Sequence, residues 1–274
     1  MSIFEYTFFQ YAIAGSLLAS IVCGFIGTYI VSRRLVFISG GLTHASFGGI
    51  GIGVFLGINP VFSAMVFAVL SAFGVQWLSK DGNVREDSAI AVFWTLGMSL
   101  GILFCFLTPG FMPDMPSFLF GSILSVSPAD LWVLGLLTAI VATAFGLLMR
   151  PIMSIAFDPA FARSQRLPVT AIEYLMMALI ALTIVATLRL VGIVLAISLL
   201  TIPQMTANLI SGDFRRIIVL SMAIGWADCL AGLAISYTLN VPSGAAIIFA
   251  SIMFYAVVKA IKHTVYKLNI RETA

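Results

Sequence analysis

Phe37-Ile38-Ser39-Gly40-Gly41-Leu42-Thr43-His44-Ala45-Ser46-Phe47-Gly48-Gly49-Ile50-Gly51-Ile52-Gly53 holds one ionisable side chain, His44, among apolar, hydroxyl and glycine residues. The run around it, 35–58, is long enough to cross the hydrocarbon of a bilayer, which takes about 20 residues of helix at about 1.5 Å rise each. Nothing in it alternates with period two, as a barrel strand would. Gly41, Ala45, Gly49 and Gly53 recur every four residues, a stripe of small side chains that lets another helix come close. Gly40 and Gly48 flank His44 one turn away on its own face. The histidine is either hydrogen-bonded across a helix pair or faces a cavity kept open by missing side chains. An ionisable group at this depth usually marks a pathway.

Similar runs continue outward at 8–32, 61–78, 88–107, 128–149, 169–188, 190–210, 217–239 and 242–258. The shorter 116–126, between Pro116 and Pro128, reads as a re-entrant or interfacial helix. Of 274 residues 61% are hydrophobic and 9% charged, with mean hydropathy +1.12. Soluble domains carry about 25% charged residues. A cytosolic enzyme, a nucleic-acid module and a disordered tail are thereby excluded. The expected fold is all-α: one polytopic transmembrane bundle over 1–274, with eight or nine spans. The count depends on whether Leu188-Arg189-Leu190 is a loop or a bend.

Lys and Arg collect on the cytoplasmic side of membrane helices. With Arg33-Arg34 inside and sides alternating over nine spans, 13 of the 14 Lys and Arg fall inside, all but Arg189. The expected N-terminus is outside and the C-terminus cytoplasmic. The first span lacks the basic start and short apolar region of a cleaved signal peptide. Cys23, Cys105 and Cys229 sit within separate apolar segments and read as small buried hydrophobes.

No G-x-x-x-x-G-K-[ST] phosphate loop, H-E-x-x-H or C-x-x-C occurs. Gly97-Met98-Ser99-Leu100-Gly101 matches G-x-S-x-G, but that pattern acts on a strand-to-helix elbow and here falls inside an apolar helix. An intramembrane hydrolase using Ser99 and His44 is therefore the weaker of two alternatives; a standalone metal-ion carrier or channel is the other. The expected role is transport rather than catalysis.

Three more features carry chemistry. Asp228 is a carboxylate near the middle of 217–239, where a charge costs about 2.5–3.5 kcal/mol on insertion scales. It is either part of a structural hydrogen bond or, with His44, an oxygen–nitrogen pair for transient divalent metal. Pro203 interrupts 190–210 and frees a backbone carbonyl, as a kink or as a broken helix lining a path; Gln204 and Met205 stand beside it. In the loop 156–168, Asp158 is a good N-cap and Pro159 a first helical residue. Phe157 and Phe161 form an apolar edge, and Arg163 and Arg166 lie near the C-terminal end, where cations are favoured. This short helix suits docking to a partner or lying on lipid headgroups.

Together these segments resemble the integral-membrane permease subunits of bacterial zinc/manganese/iron ABC importers, over nearly the whole chain. The residues that carry the likeness are Ser32-Arg33-Arg34 with Leu42-Thr43-His44-Ala45-Ser46, then Phe118-Leu119-Phe120-Gly121-Ser122-Ile123-Leu124. They continue through Ala156-Phe157-Asp158-Pro159-Ala160-Phe161-Ala162 with Leu167-Pro168-Val169, Leu199-Leu200-Thr201-Ile202-Pro203, and Val241-Pro242-Ser243-Gly244-Ala245. The resemblance implies a type II importer fold and a homodimer in the bacterial inner membrane. It also implies a cytoplasmic ABC ATPase docking on 156–168 as coupling helix, and an extracytoplasmic metal-binding protein. Zinc or manganese would be cargo passing a gate that contains His44, and no cofactor would be held permanently. The family's Asp four residues before the histidine is Gly40 here, its Asp after L-F-G is Ser122, and small residues after the proline are Gln204 and Met205. Asp228 is the candidate replacement ligand.

Overall fold

The computed structural model of the chain describes residues 7–80, 82–109 and 126–273, less the side chains of 189, 190 and 266–273. The expected re-entrant helix at 116–126 lies outside them in all but its last residue. Ten helices follow in order: α1 (Thr7–Ser32), α2 (Val36–Leu56), α3 (Pro60–Lys80), α4 (Glu86–Leu107), α5 (Pro128–Phe157), α6 (Pro159–Ser164), α7 (Val169–Leu199), α8 (Ile202–Ile210), α9 (Phe214–Leu239) and α10 (Ser243–Thr273).

Among the described residues eight segments are long and apolar enough to cross a membrane. In them Val169–Leu188 and Val191–Ile210 count separately, and α2 is not included. At 21 residues α2 matches α3 in length; its six glycines and His44 dilute its hydropathy. It packs against α3, α4 and α7, so it is a full member of the bundle. Most buried apolar residues form one core that draws on α1 through α7, α9 and α10, and Ala207, Ile217 and Ile224 form a second, small cluster between α8 and α9.

Helix ends follow local chemistry. Asp213 caps α9 by accepting the Arg216 N–H at 2.8 Å, and Ser127 with Asp130 forms a reciprocal capping box at the start of α5. Asn240 ends α9 in the left-handed region, which asparagine tolerates. The expected span at 128–149 continues to Phe157, with a bend at Leu148 three residues before Pro151. Proline withdraws a backbone donor and kinks rather than ends a helix held by its neighbours.

Leu188-Arg189-Leu190 is a continuous stretch of α7 and not a loop. The break falls at Gly192, with φ 75° and ψ 172°, a conformation confined to glycine. A second break follows at Leu200–Thr201, before α8 begins. Pro203 is thus not an interruption within a helix: it occupies the first turn of α8, where its missing N–H has no intrahelical partner to lose.

Candidate functional site

His44 projects from α2 onto α4. Its imidazole stacks on the Trp94 ring with centroids 4.7 Å apart and planes 3° from parallel, and Phe37 packs on the same indole at 5.8 Å. No hydrogen bond to the imidazole is present among the described residues, so stacking and not a cross-helix bond sets its plane. Stacking occupies the ring's face and leaves its nitrogens, which lie at the edge, available to a ligand. One turn earlier, a Cβ added to Gly40 would meet only Ile197 Cδ1, at 3.8 Å. The Gly40–His44 face is therefore half-open, bounded by α4 and by the short piece of α7 beyond Gly192.

The small-residue stripe serves two partners rather than one. A Cβ on Gly97 of α4 would lie 2.4 Å from the Ala45 carbonyl oxygen, and one on Gly51 the same distance from that of Gly101. Gly49 and Gly53 face α3 instead, with Ala64 Cα and Pro60 Cα at 2.6 and 3.0 Å from their would-be Cβ atoms. Gly97 and Gly101, the glycines of G-x-S-x-G, are thus packing positions inside α4, and Ser99 Oγ bonds the Leu96 carbonyl of its own helix at 3.0 Å. The strand-to-helix elbow that a serine nucleophile uses is not the setting here.

At the break before α8, Gln204 is fully enclosed. Its Nε2 donates to the Leu199 carbonyl at 3.0 Å and to the Cys23 carbonyl of α1 at 2.8 Å. Leu199 is the last residue of α7, where a carbonyl has no helical N–H to accept from, and Gln204 supplies the donor. A buried Gln204 Oε1 is left without a partner. Met205, the next residue, is 40% exposed. Close to it, Gly27 has no room for a Cβ against Leu200 O and the Gln204 amide.

Asp228 is buried on α9. Among the described residues the Ser251 hydroxyl of α10 faces its carboxylate, and no other hydrogen-bond partner reaches the buried Oδ2. Helix α9 packs mainly against α10, α1 and α8, and α2 against α4, α3 and α7, so His44 and Asp228 sit among different neighbours. Among the described residues no group of three His, Cys, Asp or Glu converges in a metal-binding arrangement. Cys23, Cys105 and Cys229 are free and buried, as expected.

The 156–168 loop folds as read. Asp158 Oδ1 accepts the Phe161 N–H at 2.9 Å, Pro159 opens α6, and Arg163 lies in its last turn. Arg166 lies past the helix end in a left-handed conformation, φ 57°. Phe157 and Phe161 are 62% and 55% exposed, with Phe157 edge-on to Phe214 of α9 at 5.9 Å. A groove of about 420 Å³ runs beside Arg163, Leu167 and Pro168.

Glu173 was not among the expected site residues. It is 3% exposed in the first turns of α7 and takes an ion pair from Arg33 Nη2 at 2.9 Å, a second from Lys80, and a hydrogen bond from Gln76 Nε2 at 3.4 Å. It is the one acidic residue of the 169–188 run, and that isolation was the signal available. Trp94 and Gly192 were missed as well, since an aromatic or a glycine in an apolar helix gives no cue of its own.

The chain matches the model of the ABC 3 transport family over residues 5–262. It is 40% identical over 253 residues to a membrane protein of Synechocystis sp., covering 92% of this chain and 90% of that one. It is 32% identical over 255 residues to the manganese transport system membrane protein MntC of Halalkalibacterium halodurans, covering 92% and 86%. Its fold superposes on PsaBC from Streptococcus pneumoniae, solved in complex with Fab, with TM-score 0.83 and 26% identity over 93% of this chain and 92% of that one. With an all-helical bundle, eight crossing segments plus α2, and these likenesses over nearly its whole length, the chain is a multi-pass membrane permease of the ABC 3 transport family.

Proposed function

We propose that the chain is the permease subunit of an ATP-driven importer of divalent transition metal ions, manganese or zinc first, with iron within the same ligand chemistry. It works as a homodimer in the bacterial inner membrane, N-terminus outside and C-terminus cytoplasmic. A separate cytoplasmic ATPase energises it and an extracytoplasmic metal-binding protein feeds it. The observation that carries this reading is α6, a capped six-residue helix at the joint of α5 and α7: Phe161 on it and Phe157 at the end of α5 are both exposed, and Arg163 and Arg166 follow them. Exposed aromatics with an Arg rim are what a protein partner recognises. The relative named for manganese transport supports the cargo class.

His44 is the ligand of the path, oriented by Trp94; imidazole nitrogen suits both zinc and manganese. Asp228 and Ser251 offer oxygens at a separate point of the path. Pro203 and the Gln204 bracket keep the helix broken where the path runs, with Met205 at its edge.

Elemental analysis of a deletion strain under metal limitation tests this. Wild type is expected to restore one metal, and His44→Ala and Asp228→Asn to restore at most about a tenth of it while reaching the membrane normally. Phe161→Asp is expected to lose the co-purifying ATPase. Wild-type complementation without any change in metal content sinks the cargo. Retention of full uptake without an ATPase favours the standalone carrier.

A further inference from the structure

Helix α6 ends five residues before α7 begins at Val169, and Glu173 lies in the first turns of that same helix. Its carboxylate is buried and holds three donors from two other elements: Arg33 after α1, and Gln76 and Lys80 on α3. Arg33 in turn stands three residues before α2, the helix of His44. Glu86 at the start of α4 is within electrostatic reach of Arg33 and Lys80. One carboxylate thus ties the segment that follows the docking helix to the ends of two helices, α1 and α3, the first of them joined directly to the helix of the metal ligand.

This arrangement is poorly suited to stability alone. Ions taken out of water recover their solvation only when every polar atom is satisfied, and apolar residues of similar volume commonly serve as well. Here, among the described residues, Arg33 Nε is buried without a hydrogen bond to the carboxylate it serves, so the set is not fully matched. Its geometry instead suits transmission. Ion pairs are directional, they join rigid helices, and they have discrete made and broken states, as a switching element requires.

We propose that Glu173 is a coupling post: a positioning residue that passes displacement of α6 to Arg33 and Lys80, and so to α2 and α3, without touching the metal. The inference rests on the proposed function above, because it needs an ATPase acting on α6. Loss of the post leaves ATP hydrolysis running while metal movement stops following it.

The experiment uses the permease purified with its ATPase, reconstituted in liposomes, with Mn²⁺ uptake and ATP hydrolysis measured on the same preparation. Glu173→Gln is expected to raise ATP hydrolysed per Mn²⁺ moved by about tenfold, a loss of about 1.4 kcal/mol of coupling. Since a lone substitution leaves two half-buried cations unpaired and can unfold the chain, a triple variant, Arg33→Met, Lys80→Met and Glu173→Leu, removes all three charges together. A folded triple variant with the same raised ratio supports the post. A ratio equal to wild type in either folded variant overturns it, as does a parallel fall of uptake and hydrolysis in the folded triple variant. A wild-type complex that moves no Mn²⁺, Zn²⁺ or Fe²⁺ overturns the proposed function, and this inference with it.

Discussion

Gly40 and His44 are one turn apart on the same face of α2, and the difference between them is space. Beside Gly40 the nearest foreign atom to an added Cβ is a terminal methyl of Ile197 at 3.8 Å, an ordinary contact. An aspartate there would set a carboxylate next to the imidazole, giving two ligands on one helix face. Gly40→Asp is expected to fold and to lower the half-saturating Mn²⁺ concentration about tenfold, equivalent to about 1.4 kcal/mol; uptake kinetics at nanomolar to micromolar metal check this. An unchanged or weakened half-saturation means that this face does not meet the ion. Gln204 illustrates the opposite case, a polar residue whose role is structural. Its amide donates to two buried carbonyls, one of them at the end of α7, where no helical N–H follows. Gln204→Leu is expected to cost about 1–3 kcal/mol, measured as a lower unfolding temperature of the detergent-purified protein.

At the scale of elements, α2 and α4 approach until glycine of one lies on backbone of the other. A methyl at Gly51 would sit 2.4 Å from Gly101 O and 2.8 Å from its Cα, and backbone cannot step aside as a side chain can. Gly51→Ala is therefore expected to destabilise by about 1–3 kcal/mol through overpacking. Gly146→Ala on α5, with nothing within 4 Å, is expected to be neutral or slightly stabilising. Thermal unfolding of the two variants side by side separates steric contact from helix propensity. The four-residue stripe in α2 was legible in the sequence, but its division between α3 and α4 was not. Spacing places residues on a face; which neighbour covers that face is decided elsewhere in the chain. The same holds for Pro203: its helix-breaking chemistry was readable, whereas its place at the start of α8 depended on the Leu200–Thr201 break and on Gln204 filling the gap.

For the whole molecule, the side of the membrane on which each end lies is an electrostatic expectation with internal checks. Arg33 and Lys80, assigned to one side, meet on Glu173. Lys262, assigned to that side too, donates to the Leu209 carbonyl at 2.7 Å. The native cysteines are buried, so introduced ones report alone. An impermeant maleimide is expected to label Ile58→Cys on intact spheroplasts and Ser164→Cys only after permeabilisation. The reverse pattern inverts the topology.

Composition and run length by themselves determined that this chain is a helical membrane bundle. Apolar residues without period-two alternation satisfy their backbone polar groups in a bilayer only as helices. Local chemistry likewise determined the Asp158 cap and the α6 segment. The tertiary structure decided what depends on partners distant in sequence: the Trp94 stack that orients His44, the separate surroundings of His44 and Asp228, and the convergence of Arg33, Gln76 and Lys80 on Glu173. It also decided where α7 breaks, at Gly192. A propensity is set by a residue and its near neighbours, whereas an ion pair between residues 33 and 173 exists only once the helices between them have packed.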